Sequence, residues 1–530
     1  MGVCNNMNRK EVNSQQFFCE EKAFIAQADN FISSDNKVKL EFTIENCRVD
    51  SRYQVMVEFI NSFVDPFFTE TVRTKYNKLT FNTCYICDYF FEKPQLMRIT
   101  LMENGNVVGS LTPYLGMIIG SPKGVFSANI SSTPQINKEK IVVSAVGIRN
   151  PNSSLIVNFL IKTTRFVDFS KINNKISFLI TSNQRKVYSS ESINKYGQFK
   201  SVKIPLALLE PQFEISFLNS SQKKIVSKLE TPNSLAQQNN KIYLSFNNYN
   251  HEYIIINNSQ LLQQYSFIDY IKNGVQLGLS IGIDFTASNG QIDDPNSLHR
   301  IIPGQYNDYE QAIRACGLII AFYDYDQLFP VYGFGAVVNN NPKPNMCFNI
   351  NFKQNPTIYT IDNVIEEYHN CLRKVILAGP TEFSPMIRNE INSIKKENNP
   401  LKYHVLMILT DGVIVDQQAT IDSVIEASFL PFSLIIIGIG NDHFQEMIEL
   451  DGDDAPLISS NGVKRLRDCV QFVPFNKFRN NEEELASQVL SEIPRQIVEY
   501  YSILKIYPNA LQTAKLRCDT MMKYYNIGNY

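Results

Sequence analysis

The sequence predicts a multidomain protein: two all-β sandwiches in series, then one α/β domain with a doubly wound, Rossmann-like parallel sheet. Three observations carry this reading. The chain has 530 residues, more than one hydrophobic core can hold, and its 44% apolar content gives each of about three domains a core of its own. Residues from about 20 to about 250 read as short alternating segments separated by Pro, Asn and Ser clusters. Beyond about residue 260 the pattern changes to near-continuous apolar runs alternating with helical stretches. The expected boundaries are a flexible N-terminus over 1–20, sandwiches over 21–130 and 131–258, the α/β domain over 262–505 and a tail over 506–530.

The strands of the first sandwich are drawn from Lys37 to Ile44, Tyr53 to Ile60 and Leu96 to Met102, each alternating polar and apolar. Lys140 to Val146, Leu155 to Lys162, Ile176 to Thr181, Phe213 to Leu218 and Lys241 to Phe246 serve the second in the same way. In the α/β region, Leu277 to Phe285 is apolar almost throughout, as a strand covered on both faces should be. Val331 to Val338, Tyr403 to Leu409 and Leu434 to Ile439 are further buried strands. Asp308 to Phe322, Asp416 to Ser428 and Glu482 to Tyr501 are helical. In sheets of this kind ligands bind outside the carboxyl ends of the strands.

Composition excludes several classes. The ten cysteines are scattered, and Cys84-Tyr85-Ile86-Cys87 has no second pair at zinc spacing, so free thiols in a reducing compartment are expected. There is no run of 18 apolar residues and no signal-peptide core in residues 1–20, so an intracellular protein spanning no membrane is expected. The net charge of −2 is unevenly spread: residues 131–260 carry 16 basic and 7 acidic groups, while 261–530 carry 21 and 31. A basic segment in an acidic chain points to an anionic partner, phospholipid headgroups first. No aromatic-interleaved basic motif points to nucleic acid.

Chemistry concentrates at Ile283-Asp284-Phe285-Thr286-Ala287-Ser288, where an apolar strand ends. Asp284, Thr286 and Ser288 alternate and can face one way, and one carboxylate with two hydroxyls suits Mg²⁺, a hard ion that keeps waters. Asp411 in Thr410-Asp411-Gly412 ends a second strand, and Thr381 in Gly379-Pro380-Thr381 adds a hydroxyl. On spacing alone the same residues also suit a helix cap followed by a turn.

Asp-x-Thr-x-Ser with a later Gly-Pro-Thr and a strand-ending Thr-Asp-Gly resembles the metal-ion-dependent adhesion site (MIDAS) of von Willebrand factor A domains. The closer resemblance is to the copine family. It rests on Asp284-Phe285-Thr286-Ala287-Ser288-Asn289-Gly290, Ser297-Leu298-His299, Phe329-Pro330-Val331-Tyr332-Gly333-Phe334-Gly335-Ala336 and Leu450-Asp451-Gly452-Asp453-Asp454. Val470-Gln471-Phe472-Val473-Pro474-Phe475 and Pro494-Arg495-Gln496-Ile497-Val498-Glu499-Tyr500-Tyr501 extend it over roughly 266–502. The resemblance implies two C2 domains ahead of a copine-type A domain. It also implies Mg²⁺ or Mn²⁺ on Asp284, Thr286, Ser288, Thr381 and Asp411, with an open position for a carboxylate from a partner protein. Such a metal bridges, and no general base accompanies it, so no enzyme is expected; His299 is expected to be structural.

The chain departs from the family in its C2 loops. Ca²⁺ needs 6–8 oxygens, whereas Leu101-Met102-Glu103-Asn104-Gly105-Asn106 lacks the expected Asp-x-Asp and Asp50 stands alone near the first loop. In the second sandwich Asp168 is followed by Asn173 and Asn174, and Phe217 to Lys224 contains no aspartate. Weak Ca²⁺ binding is therefore expected, with anionic membranes met instead by Arg185, Lys186, Lys223, Lys224 and Lys228. Gly2 and Cys4 suggest N-myristoylation with palmitoylation, although Asn6 replaces the usual Ser or Thr. Together these imply a peripheral adaptor in the cytoplasm and on the cytoplasmic face of the plasma membrane. The competing classes are a cytosolic scaffold without membrane affinity and a ubiquitin-ligase-type enzyme; the latter needs a Cys/His zinc module where Leu504 to Tyr530 offers only Cys518.

Overall fold

The computed structural model describes residues 37–60, 64–130, 139–147, 153–163, 175–182, 185–193, 197–209, 211–236, 241–245, 252–262, 265–339, 341–452, 457–479 and 481–513. Gly2, Cys4, Asp168, Asn173 and Asn174 lie outside the described residues. Among the described residues no helix is long and apolar enough to cross a membrane.

The first sandwich contains β1 (Lys37–Glu45), β2 (Arg52–Phe59), β3 (Tyr85–Asp88), β4 (Met97–Glu103), β5 (Asn106–Leu111), helix α1 (Leu115–Gly120), β6 (Val125–Asn129) and β7 (Lys140–Gly147). Strict alternation along β1 sends Val38, Leu40, Phe42 and Ile44 into the core and leaves the intervening residues partly exposed. One sheet pairs β1 with β3 on one side and β7 on the other, with β6 beyond β7; the other contains β2, β4 and β5. The β7 pairing is a correction. Lys140–Gly147 was expected to open the second sandwich, but it lies antiparallel to β1 with Phe42 opposite Val143 and Leu40 opposite Ala145. An alternating strand fits any half-buried sheet, and the partner that decides its place lies a hundred residues away in sequence.

The second sandwich follows as β8 (Ser154–Val157), β9 (Phe159–Thr163), β10 (Ser177–Ser182), β11 (Arg185–Ser189), β12 (Phe213–Leu218) and β13 (Lys224–Glu230), with further strands at Lys241–Ser245 and Glu252–Asn257. The expected single strand from Leu155 to Lys162 is divided at Asn158, so that β8 and β9 enter different sheets. A third sheet runs β11-β10-β12-β13. Phe159, Phe178, Phe199 and Phe217 pack edge to face at the centre of this sandwich's own core.

The α/β region comprises α2 (Phe267–Lys272), β14 (Gln276–Asp284), α3 (Asp308–Ile320), β15 (Leu328–Phe334), α4 (Ile361–Leu372), α5 (Ser384–Glu397), β16 (Lys402–Thr410), α6 (Gln417–Ala427), β17 (Phe432–Gly438), α7 (Gln445–Asp451), β18 (Val470–Pro474), α8 (Glu482–Leu490) and α9 (Ile493–Ile503). The helix expected from Glu482 to Tyr501 is thus two, with Pro494 in the first turn of the second, where its missing N–H costs nothing. Parallel strands run β15-β14-β16-β17-β18, with an antiparallel edge at Phe348–Asn349. Because β14 sits between β15 and β16, the winding reverses there, and a crevice opens beyond the carboxyl ends of β14 and β16. Along β16, Tyr403, Val405, Met407 and Leu409 face one core while Leu406 and Ile408 face another, which is why the run reads as continuously apolar.

The chain folds into two compact units: one built on residues 149–264, the other on residues 36–148 together with 265–530. In the second unit the first-sandwich core continues into one face of the α/β sheet. Phe91 packs on Phe267 and Tyr323, Tyr114 stacks on Phe322, and the Tyr89 and Tyr323 hydroxyls share a hydrogen bond. A methyl group on Gly147 would lie 3.2 Å from Ile268 and 3.6 Å from Ser266 Oγ, so the chain leaves this unit and re-enters it at one point. Replacing residues 149–264 with a short Gly-Ser linker should therefore leave a soluble protein that unfolds in one calorimetric transition. Two separate transitions for the first sandwich and the α/β domain would contradict the shared core.

Candidate functional site

Asp284 ends β14 fully buried, and its carboxylate is held from both sides of the crevice. Thr286 donates to Oδ1 through its backbone N–H at 2.8 Å and its hydroxyl at 2.6 Å, while Thr410, the last residue of β16, donates its hydroxyl to Oδ2 at 2.6 Å. Ala287–Asn289 then form a 3₁₀ turn closed by Gly290 at φ 79°. This turn, and not continued strand alternation as expected, carries Ser288 into place. The Ser288 hydroxyl donates to Asp411 Oδ1 at 2.9 Å and lies 2.9 Å from the Thr286 hydroxyl. Ser288 is the exposed member of the group, open to solvent.

The loop carrying Thr381 is tied to the same turn, because Ala287 N–H donates to the Ala378 carbonyl at 2.8 Å. Thr381 is buried, and a methyl group on Gly412 would stand 3.4 Å from its hydroxyl and 3.8 Å from that of Ser288. The structure thus brings all five predicted residues, Asp284, Thr286, Ser288, Thr381 and Asp411, to one crevice. Gly335 makes the approach of β15 possible: it holds φ 78°, and a side chain there would sit 2.3 Å from Thr286 Cγ2.

Three contributors went unassigned in the sequence. Thr410 fixes Asp284 as described; Asn289 donates its amide to Asp411 Oδ1 at 2.9 Å; and Tyr309, on α3, donates its hydroxyl to Asn289 Oδ1 at 2.6 Å. Thr410 and Asn289 each stand beside a predicted ligand in a quoted motif, so that adjacency was the available signal; Tyr309 had none.

Burial raises the Asp284 carboxyl above its usual range, against the hydrogen bonds from Thr286 and Thr410 that favour its charged form. Asp411 is pushed up to about 7, first by burial and then by the charge of Asp284. Two carboxylates and three hydroxyls converge here, an all-oxygen donor set that fits a small hard divalent cation, whose charge would reverse both shifts. Among the described residues no three His, Cys, Asp or Glu side chains converge, so hydroxyls must complete any such cation's shell.

His299 lies beneath the site, fully buried between Phe285 and Tyr309, with Nδ1 2.7 Å from the Tyr368 hydroxyl. Burial pushes its pKa down to about 3, so it is a neutral packing residue.

The sandwich loops are arranged differently. Asn104 and Gly105, at φ 51° and 85°, form a two-residue hairpin between β4 and β5. Glu103 accepts bonds from Arg48 and the Tyr53 hydroxyl, and Asp50 lies 3.5 Å from Arg73. The proposed lipid-binding residues do not form one patch, which corrects the expectation that they act together. Arg185 and Lys186 begin β11, paired to the C-terminal end of β10, while Lys223 and Lys224 lie where β12 ends, beside the start of β10. Strands β11 and β13 are opposite edges of their sheet, so the two groups occupy opposite edges and opposite ends. Lys224 is paired with Glu214 and Lys228 with Glu230. Sequence proximity had hidden this, because antiparallel pairing sends successive turns to alternate ends.

A family model described as Copine matches residues 297–509. Copine-A of Dictyostelium discoideum is 30% identical over 477 residues, covering 83% of this chain and 78% of that protein. Among solved structures, the tandem C2 domains of Extended-Synaptotagmin 2 align with 49% of this chain and 100% of theirs, at 11% identity and a TM-score of 0.19. Human GIVD cytosolic phospholipase A2 aligns with 57% of this chain and 42% of its own, at 8% identity and a TM-score of 0.17. Scores this low define no shared fold.

His299 gives the site a measurable acid sensitivity. Unfolded, it titrates near 6.5; folded, it stays neutral down to about 3, so between these values the unfolded chain binds more protons and stability falls with falling pH. From about pH 7 to about pH 5 this one group should cost about 2 kcal/mol. In urea unfolding at both pH values, His299→Phe should lose about that much less than the native chain on acidification. Equal losses would exclude a buried neutral imidazole.

Proposed function

The chain belongs to the copine family, and from that premise we propose that it is a peripheral membrane adaptor. Its sandwiches, of C2 type, address anionic phospholipid at the cytoplasmic face of the plasma membrane. Its α/β domain, of von Willebrand factor A type, captures protein partners through Mg²⁺ or Mn²⁺ at a MIDAS. The observation that carries this reading is the convergence of Asp284, Thr286, Ser288, Thr381 and Asp411 at the reversal of the sheet, with Ser288 open to solvent.

When bound, the cation supplies a positive charge with a coordination position that a partner's carboxylate can fill. The protein's own residues do the rest. Thr286 and Thr410 orient the Asp284 carboxylate before any ion arrives. Asn289, held by Tyr309, orients that of Asp411. Prior ordering of this kind lowers the entropic cost of binding. The reading is of a bridge, not an enzyme.

On the membrane side the support is the charge of the unit built on residues 149–264, which carry 14 basic and 6 acidic groups. With Asp50 and Glu103 engaged by arginine and tyrosine, attraction of basic groups to the surface replaces Ca²⁺ bridging in this reading.

Two outcomes follow. Mg²⁺ at about a hundred times its Kd should raise stability by about 2.7 kcal/mol, and Asp411→Asn should abolish that gain. The same Mg²⁺-induced rise in melting temperature in the variant would sink the site. In co-sedimentation with phosphatidylserine liposomes, binding should weaken with salt and persist in EGTA. Of two charge reversals, Arg185→Glu/Lys186→Glu and Lys223→Glu/Lys224→Glu, only one should release the protein, since a flat surface meets one end of the sheet. Strong Ca²⁺ dependence, or indifference to both reversals, would refute the membrane reading.

A further inference from the structure

Beside the candidate metal site lies a cleft of about 320 Å³ that none of the roles above uses; Ser297, Leu298, Arg300, Tyr306, Asp308 and Arg479 are among its lining. It shares a framework with the site. Leu298 N–H donates to the Asn289 carbonyl at 2.9 Å, the Ser297 hydroxyl donates to the Gly290 carbonyl at 2.9 Å, and Asn289 is the residue that holds Asp411. Tyr309, which holds Asn289, follows Asp308 of the cleft directly.

The charges in the cleft are unequal. Arg479 is paired with Asp308. Arg300 is exposed, and its guanidinium donates to the Pro295 carbonyl at 3.2 Å; among the described residues it has no acidic partner. Its backbone is nonetheless held in place. The preceding residue, His299, is buried and bonded to Tyr368, and the Arg300 carbonyl accepts from Asn307. An arginine on an ordered loop, unpaired and beside a site that takes a carboxylate, is preorganised for a second one. Beyond Asp411, Val413 and Val415 are exposed, at 45% and 64%, on the loop that the Thr381 carbonyl anchors by accepting from the Val415 N–H at 3.0 Å.

We infer that the Arg300 cleft is a second subsite of this face, taking an Asp or Glu side chain from the same partner segment whose carboxylate completes the metal's coordination. This rests on the metal-bridge reading and adds to it a sequence preference: an acidic residue flanking the coordinating one.

The test uses the full-length protein and an array of peptides with one fixed central Glu, each flanking position varied among Asp, Ser and Lys. In Mg²⁺ the native chain should retain peptides with a flanking Asp about tenfold better than those with Ser. Arg300→Glu should reverse that preference toward Lys while Mg²⁺-dependent retention of the fixed-Glu series persists, with Arg300→Gln intermediate and melting temperatures unchanged. An Asp preference that survives Arg300→Glu, or no flanking preference in the native chain, overturns the subsite and leaves the metal reading standing. No retention in Mg²⁺, or equal retention in EDTA, overturns the metal reading and the subsite with it.

Discussion

A carboxylate buried to zero exposure where β14 and β16 part is the constraint around which the rest of the α/β domain is arranged. Leaving such a group without donors costs several kcal/mol or forces it to take a proton. Asp284 is instead held by three donors from two strands' ends, and each donor imposes something further. Thr286 must leave the strand within two residues, so a 3₁₀ turn follows, and that turn delivers Ser288 and Asn289 to Asp411. Gly335 must be glycine so that the neighbouring strand clears Thr286. The parallel pairing of β14 with β16 therefore does more than bury apolar surface: it sets the separation across which Asp284 and Thr410 meet.

That sheet is stiff because both of its faces are covered. Alternate residues of β16 enter two different cores, and one of those cores continues into the first sandwich through Phe91, Phe267 and Tyr323. Densely packed interiors transmit displacement instead of absorbing it. A site anchored in this core is held more tightly than one carried on loops alone.

What could be read from the sequence follows from the same physics. The buried strands were plain because covering both faces leaves no polar position between Leu277 and Ile283 except Ser280. The Asp284-Thr286-Ser288 spacing was plain as a candidate, yet spacing alone could not distinguish it from a capped turn; the convergence depends on Thr381 and Asp411, which arrive about a hundred residues later. The assignment of Lys140–Gly147 failed for the opposite reason: its alternation was read correctly, but alternation does not name a partner strand. Pro494 was a visible signal that went unused, since proline inside a predicted helix marks a new first turn. The five basic residues share the basic sandwich, and only pairing shows that Arg185 and Lys223 lie at opposite ends of a sheet.

The corrected boundary also sharpens where the charge sits. Moving Lys138, Glu139 and Lys140 out of the second sandwich leaves residues 149–264 with 14 basic and 6 acidic groups, so the remainder of this −2 chain carries a net −10. The net positive excess is thus confined to a segment that leaves the other unit and returns to it at one point, beside Gly147 and Ser266. All five candidate metal-site residues belong to the unit of opposite charge. On the proposed reading, an adaptor divided in this way would answer to two independent variables. Ionic strength would act on the basic unit, because exposed charges are screened within about 10 Å at moderate salt. Divalent cation concentration would act on a buried carboxylate that screening scarcely reaches. One attachment could then be released while the other held, a separation that a single Ca²⁺-bridged surface would not allow.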